Sequence, residues 1–298
     1  MTQTTSPRGD DANPSLTTTV QVEYAGEVTT VTDQAGKQRR QITDALGRLI
    51  RLDEPTASGL GVVGTPNQRT DYTYDVLNNL VRIVQGSQER YFKYDSLSPL
   101  IREKQVEQTP NSAYNLSDPL NSSGTWTRKL EYNSHGLVTR ASDARGIHTD
   151  FSYDGLNRLT LVDYSDSTPD ARYYFDSQTL PSGAPSYTKG FSNGRLIAMT
   201  YGSSSSITGN YFGYDSMGRV NVQKQRTGST TYSLSYTYNL AGLLATETYP
   251  TNRMLTHSYD NAGRLSQISD GTTNFASSFT YAASGSMLSE TWGNGAIG

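Results

Sequence analysis

The chain rewrites one short phrase along its length, and that repetition limits its possible folds more than any other feature. Tyr259-Asp260-Asn261-Ala262-Gly263-Arg264-Leu265 recurs as Tyr214-Asp215-Ser216-Met217-Gly218-Arg219-Val220 and as Tyr153-Asp154-Gly155-Leu156-Asn157-Arg158-Leu159. The shared form is Tyr-Asp-x-x-Gly-Arg-Leu. Aspartate at the first position of a turn accepts a hydrogen bond from the backbone two residues on, which starts a type I turn. Glycine at the fourth position reaches positive φ without steric cost and closes the hairpin with a bulge. Asparagine is the usual substitute there, so Asn78 and Asn157 keep the pattern. Tyrosine before the turn and leucine or valine after it favour strands on either side.

With tyrosine as the marker, copies fall at Tyr74, Tyr94, Tyr132, Tyr153, Tyr174, Tyr214, Tyr238, Tyr259 and Tyr281. Their spacing is about twenty residues, or nearly double that in two places. The long intervals predict degenerate copies, and Asn193-Gly194-Arg195-Leu196 reads as one with its tyrosine lost. Asp44-Ala45-Leu46-Gly47-Arg48-Leu49 has Thr43 in the tyrosine slot, and Asp33-Gln34-Ala35-Gly36 is a weaker echo. Copies at Tyr132 through Gly136 and at Tyr238 through Gly242 exchange aspartate for Asn133 and Asn239. Tyr281 through Gly285 lacks the acid, and Tyr94-Asp95-Ser96-Leu97-Ser98-Pro99 lacks the glycine. Two strands of about six residues and two turns of about four make a unit of roughly twenty, one β-hairpin. A lone hairpin is marginal, so neighbours must pair edge to edge. The reading is all-β, built of repeated antiparallel β-hairpins.

Composition supports a sheet without one dense core: 34% of the 298 residues are hydrophobic, fewer than a compact globule usually carries. Tyrosines outnumber phenylalanines 21 to 7, which suits partly wet faces where the ring packs and the hydroxyl reaches water. A net charge of -3 provides no basic field for nucleic acid or anionic membrane. The absence of cysteine removes disulfides and thiolate metal sites. No apolar run is long enough to span a bilayer.

In chain order, residues 1–16 read as a disordered leader without a signal-peptide core. Residues 17–298 read as the hairpin array, interrupted by a Pro/Gly-rich loop at about 54–71 and an Asn/Ser/Pro-rich connection at about 107–125 that is expected to lie outside the sheet. The last residues carry turn chemistry without a closing strand, as in an array cut short.

Several apparent sites dissolve on inspection. Gly190-Phe191-Ser192-Asn193-Gly194 matches the nucleophile-elbow pattern, but an elbow needs a following helix, and Arg195 through Thr200 reads as strand. Gly59-Leu60-Gly61-Val62-Val63-Gly64 matches a dinucleotide fingerprint without a βαβ unit around it. His135, His148 and His257 are isolated. Asp163, Asp166 and Asp170 lack calcium-loop spacing. No cofactor is expected. The motif aspartates Asp75, Asp95, Asp154, Asp215 and Asp260 read as turn acceptors. Arg48, Arg158, Arg195, Arg219 and Arg264 are expected to pair with carboxylates on neighbouring hairpins.

The motifs at Tyr74, Tyr153, Tyr214 and Tyr259 resemble the YD repeats of the Rhs family, which includes bacterial Rhs polymorphic toxins, the C component of insecticidal Tc toxins and the teneurin ectodomain. The resemblance spans about residues 31–289. It implies a curved hairpin strip, part of a hollow shell that encloses an effector or supports cell-surface adhesion, in a secreted or cell-surface setting. The partners it implies are other shell segments or an effector domain of a longer parent. Family toxins cut off the effector with aspartates of an Asp-Pro-rich core motif; the one Asp-Pro here, Asp118-Pro119, lacks that context, so self-cleavage is not carried over. The expected role is a non-catalytic wall. The alternatives are a carbohydrate or cell-surface binding module using tyrosine-rich faces and, remotely, a serine hydrolase at Ser192.

Overall fold

A computed structural model of the chain describes residues 2–7, 17–202 and 208–296. The chain forms two compact units, residues 1–149 and 150–298.

In the first unit the strands are β1 (Thr2–Pro7), β2 (Thr17–Ala25), β3 (Val28–Thr32), β4 (Gln38–Thr43), β5 (Leu49–Glu54), β6 (Gly61–Val62), β7 (Thr65–Pro66), β8 (Gln68–Tyr74), β9 (Leu80–Gln85), β10 (Gln88–Tyr94), β11 (Leu100–Lys104), β12 (Arg128–Tyr132) and β13 (Val138–Ser142). β6 and β7 form a separate small hairpin; the others pair antiparallel with their sequence neighbours, β5 passing over that hairpin to β8. β14 (His148–Tyr153) carries the unit boundary. The second unit continues with β15 (Leu159–Tyr164), β16 (Ala171–Phe175), β17 (Leu196–Tyr201), β18 (Thr208–Tyr214), β19 (Val220–Thr227), β20 (Thr230–Tyr238), β21 (Leu244–Thr248), β22 (Met254–Tyr259), β23 (Leu265–Ser269), β24 (Asn274–Tyr281) and β25 (Met287–Trp292). These too pair antiparallel in chain order.

Turns alternate between two edges within each unit. The Tyr-Asp corners occupy one edge, and turns such as Gly86-Ser87 and Gly228-Ser229 occupy the other. Asp33 through Gly36, the weak echo, closes β3 to β4 on the opposite edge, so it is not a member of the corner row. Of the expected leader, residues 2–7 pair as β1 along β2, and residues 8–16 lie outside the described residues.

Among the described residues most sheet positions are half-buried, and two clusters of buried apolar side chains form where the chain leaves the repeat. In the first unit, residues 105–127 carry a short 3-10 turn (Ser112–Tyr114) and fold against the sheet rather than away from it. Tyr114 and Trp126 bury against Tyr91, with Leu116 packed beside them. The Trp126 indole N–H donates to the Leu116 carbonyl at 2.9 Å, and the Tyr114 hydroxyl donates to the Asp143 carbonyl at 2.8 Å. Buried polar groups of this segment are partnered as burial requires: Asn121 accepts from Lys104 Nζ at 3.2 Å and donates to the Thr125 carbonyl at 2.8 Å. No degenerate hairpin occupies the long Tyr94-to-Tyr132 interval; this folded insertion does.

The Pro/Gly-rich loop is likewise clamped. Asp53 is fully buried and accepts from Arg40 Nε at 2.7 Å and from Arg51 at 2.6 and 2.9 Å. Both guanidinium groups also reach over the loop, to the carbonyls of Gly61 and Val63. The fingerprint-like glycines thus belong to a small β6–β7 hairpin held by a buried ion cluster.

In the second unit, residues 177–193 pack Leu180, Ala184 and Tyr187 over Tyr211, Ala198 and Tyr174. The two clusters are small and separate, one in each unit, so no one dense core forms among the described residues; they arise at the insertions because side chains from a returning segment cover one face of the sheet and exclude water there.

Candidate functional site

Each corner is built the same way. In Asp44 through Arg48, the Gly47 N–H donates to the Asp44 carbonyl at 2.9 Å, and the Asp44 N–H donates to the Arg48 carbonyl at 2.9 Å. Asp44 Oδ1 accepts from the main-chain N–H groups of Leu46 and Arg48, and Oδ2 accepts from Arg48 Nε at 2.7 Å. Asp154, Asp215 and Asp260 repeat this set with Arg158, Arg219 and Arg264. The main-chain N–H of Arg264, then its guanidinium, hold the Asp260 carboxyl below the usual range; for Asp44 the Arg48 guanidinium leads. At Asp75, Asn79 takes the arginine's place through its side-chain amide, and at Asp95, Pro99 supplies only the carbonyl.

The fourth corner residue has positive φ throughout: Asn78, Ser98 and Asn157 as well as Gly136, Gly194, Gly218, Gly242, Gly263 and Gly285. At Gly218 a side chain would meet a second obstacle, since a Cβ there would overlap the Arg195 guanidinium.

Tyr74, Tyr94, Tyr132, Tyr153, Tyr214, Tyr238, Tyr259 and Tyr281 are each the last residue of a strand. The hydroxyls of six of them correct the expectation of contact with water. The ladder between β5 and β8 stops at Arg51↔Asp71, short of the corner, and leaves the Leu49 carbonyl beyond it. The Tyr74 hydroxyl donates to that carbonyl at 3.0 Å. The same bond runs from Tyr132 to Leu100 (2.8 Å), Tyr214 to Leu196 (2.6 Å), Tyr238 to Val220 (2.7 Å), Tyr259 to Leu244 (2.8 Å) and Tyr281 to Leu265 (2.7 Å). In every case the acceptor is the first strand residue after the preceding corner. Burial pushes the Tyr214, Tyr238 and Tyr259 hydroxyls upward, so they remain donors.

The arginines also depart from expectation. Arg48, Arg219 and Arg264 pair with the carboxylate of their own corner rather than a neighbour's, because the i,i+4 placement across the turn brings the two together. Each then lies over the next corner's ring: Arg48 on Tyr74 at 4.9 Å, Arg219 on Tyr238 at 4.3 Å, Arg264 on Tyr281 at 4.7 Å. Arg158 does both, since it pairs with Asp154 and reaches Asp176 of the next corner at 2.7 Å while stacking on Phe175. Ring, guanidinium and hydroxyl together latch the corners at Tyr74, Tyr214, Tyr238 and Tyr281 to the one before, and at Tyr132 and Tyr259 the hydroxyl does so alone.

Phe175, not Tyr174, fills the ring slot of its corner, and that corner is split. The Asp176 N–H donates to the Arg195 carbonyl at 3.0 Å, and Phe175 pairs with Leu196, the partners a complete corner would use. Asn193 through Leu196 is therefore the second half of the Phe175 corner rather than a separate degenerate copy, with residues 177–193 inserted in the turn. The aligned signal was present in Phe175-Asp176, but a tyrosine marker one residue earlier concealed it.

Ser192 lies inside this split corner. Its hydroxyl donates to the Asp176 carbonyl at 2.8 Å, and the groove beside it is lined by Phe191, Asn193, Arg195, Ser216 and Met217, which offer no base. The chain leaves the site into strand β17. The backbone of residues 188–191 instead runs against the end of β18: a Cβ at Gly213 would overlap the Thr188 carbonyl, and the Phe191 N–H donates to the Tyr214 carbonyl. His135 lies in a turn, His148 in β14 and His257 in β22, and no histidine lines this groove. Among the described residues no cluster of three or more His, Asp or Glu side chains could hold a metal ion, and no helix is long and apolar enough to cross a membrane.

The arrangement of hairpins latched corner to corner is matched by the teneurin YD-shell family model over residues 42–182 and 129–292. The chain belongs to the teneurin YD-shell family. The YD-shell fold also appears in solved structures. TcdB2-TccC3 superposes with a TM-score of 0.65 at 16% identity, and its form without the hypervariable C-terminal region gives 0.65 at 15%. A Tc holotoxin pore from Photorhabdus luminescens gives 0.64 at 15%. Each match covers 94% of this chain, which spans only 15% of the other. At that identity the likeness is one of fold. No curated protein matches the chain.

Proposed function

We propose that the chain is a non-catalytic wall segment of a YD shell, joined to other shell segments of a longer, secreted or surface-displayed polypeptide and separating an effector from its surroundings. The observation that supports this reading is the latch. The repeat spends its aspartates on closing each corner and its tyrosine hydroxyls and arginine stacking on binding one hairpin to the next, so the residues most repeated in the sequence are engaged in holding the wall. A polypeptide selected to bind sugar through these tyrosines would leave the rings open, whereas arginine covers the rings of Tyr74, Tyr214, Tyr238 and Tyr281. The wall reading is tested by limited proteolysis of the full-length polypeptide that contains this chain. Its effector segment should be cut far more slowly inside the intact protein than when expressed alone. Equal rates of cleavage would remove the enclosure reading.

A further inference from the structure

Several ladders between hairpins stop at one height. Arg51 pairs last with Asp71, Leu161 with Arg172, Ala198 with Tyr211 and Thr246 with Thr256. In each case the third strand residue after one corner faces the third before the next ring. Beyond that height the strands splay, and the gap between β17 and β18 shows what fits between them. Tyr187 of the second insertion puts its hydroxyl there, donating to the Ile197 carbonyl at 2.6 Å with the Phe212 N–H beside it. Its ring meets Tyr211 edge-on at 6.0 Å, and burial pushes the hydroxyl upward, so it stays a donor.

The gap between β15 and β16 has the same frame. Thr160 and Tyr173 stand where Ile197 and Phe212 stand, and with Leu161, Tyr174, Gln178 and Thr179 they line a cleft of about 490 Å³. The corner end of this gap is closed in another way. Arg158 spans it to Asp176 at 2.7 Å, and the Phe175 N–H donates to Gln178 Oε1 at 2.7 Å, where the equivalent Tyr214 N–H donates to the Lys189 carbonyl. Phe175 carries no hydroxyl to bond the Leu159 carbonyl as Tyr214 bonds that of Leu196.

We propose that this cleft receives a tyrosine side chain presented by an unfolded peptide segment of another polypeptide. The hydroxyl donates to the Thr160 carbonyl and accepts from the Tyr173 N–H. Two observations select this ligand. A phenol supplies one donor and one acceptor on a single atom at the tip of an apolar ring, which suits a slot between two splayed main chains walled by Leu161 and Tyr174. The neighbouring gap, with the same ladder height, already holds that group in the form of Tyr187. The volume accommodates the ring together with adjoining residues of its own chain. The inference goes beyond the wall reading and does not depend on it, since the cleft lies wholly within residues 152–179.

Fluorescence anisotropy of a labelled, end-blocked peptide copying residues 184–190 tests the cleft on the 298-residue chain. Binding should saturate with Kd in the range of roughly 0.1–1 mM, and the peptide's Tyr187→Phe form should bind at least about threefold more weakly. Thr179→Trp fills the mouth of the cleft from an exposed position. It should weaken binding at least about tenfold while the melting temperature stays within about 2 °C. Residue-resolved hydrogen exchange of the unaltered chain, saturated with peptide, should show the Tyr173 amide slowed. Absence of saturation up to about 5 mM peptide would overturn the proposal. So would equal affinity for the two peptides, binding undiminished in folded Thr179→Trp, or slowed exchange confined to strands other than β15 and β16. Should Thr179→Trp fail to fold, the exchange pattern and the peptide pair decide the matter without it.

Discussion

The insertions at residues 105–127 and 177–193 interrupt the same repeat in opposite places. The first leaves from the edge opposite the corners, between β11 and β12, and every corner around it stays whole. The second opens a corner itself, and the halves Phe175-Asp176 and Arg195-Leu196 still meet as though adjacent. What both preserve is the strand register at their roots: Glu103 pairs with Arg128, and Phe175 with Leu196. A hairpin array therefore tolerates an insertion at either edge provided the strand ends return to their partners. Long surface loops cost little extra closure entropy, and here each recovers more by covering apolar surface. The core of this YD-shell chain is supplied by its departures from the repeat.

If the first insertion is the more core-like of the two, Trp126→Ala should be the most costly single change. The side chain is fully buried and also anchors the Leu116 carbonyl, so about 3–5 kcal/mol is expected, read as the urea midpoint of the unfolding step that includes residues 105–127. Tyr187→Phe in the second insertion removes only a hydroxyl that donates to the Ile197 carbonyl at 2.6 Å, and should cost about 1 kcal/mol in the same assay. Ser192→Ala removes the bond to Asp176 and should cost a similar ~1 kcal/mol or less, while esterase assays stay at background before and after the change. Tyr211→Phe should be neutral or slightly stabilising, because the buried Tyr211 hydroxyl has no hydrogen-bond partner among the described residues, and a loss above about 1 kcal/mol would show that it has one in solution.

Acid should produce the smallest difference. In the first insertion, burial would raise the Asp118 carboxyl, but the Lys93 ammonium and the N–H groups of Asn121 and Leu120 outweigh it and leave it lowered. In the second, the Arg158 guanidinium and the Gly194 N–H lower Asp176. A carboxyl whose folded pKa is depressed contributes stability that is complete above the unfolded value and disappears as pH falls below it. Hydrogen exchange, corrected for its intrinsic pH dependence, should therefore report both insertions unchanged from about pH 7 to pH 5 and loosened below about pH 4. Loosening that begins near pH 6 would point to a histidine instead.

The hairpin period, the edge-to-edge pairing and the corner positions were legible because the repeat writes them many times. Asp-x-x-Gly specifies a turn by bonds among residues at most four apart, as in Arg158 to Asp154. The same logic misled where one marker residue was trusted. Tyr174 stood beside the true slot at Phe175, and ring size, not the tyrosine hydroxyl, is what that corner uses. Loop composition at 107–125 announced an excursion but gave no sign of its return to Tyr91, since Asn, Ser and Pro describe backbone freedom and say nothing of where Tyr114 and Trp126 will bury.

Taken alone, the order of residues determined an all-β chain of antiparallel hairpins with corners of one kind, because turn geometry is a local property of four or five residues. Only the tertiary structure decided that Tyr74, Tyr132, Tyr214, Tyr238, Tyr259 and Tyr281 reach back to the previous corner's carbonyl, a contact between residues separated by 15 to 32 positions. It also decided that Arg48, Arg158, Arg219 and Arg264 serve the aspartate of their own corner, whereas Arg195, in the split corner, donates to the Phe191 and Asn193 carbonyls rather than to the carboxylate expected. Those choices depend on where the ladders between hairpins end, and a ladder's end is set by strands meeting in space.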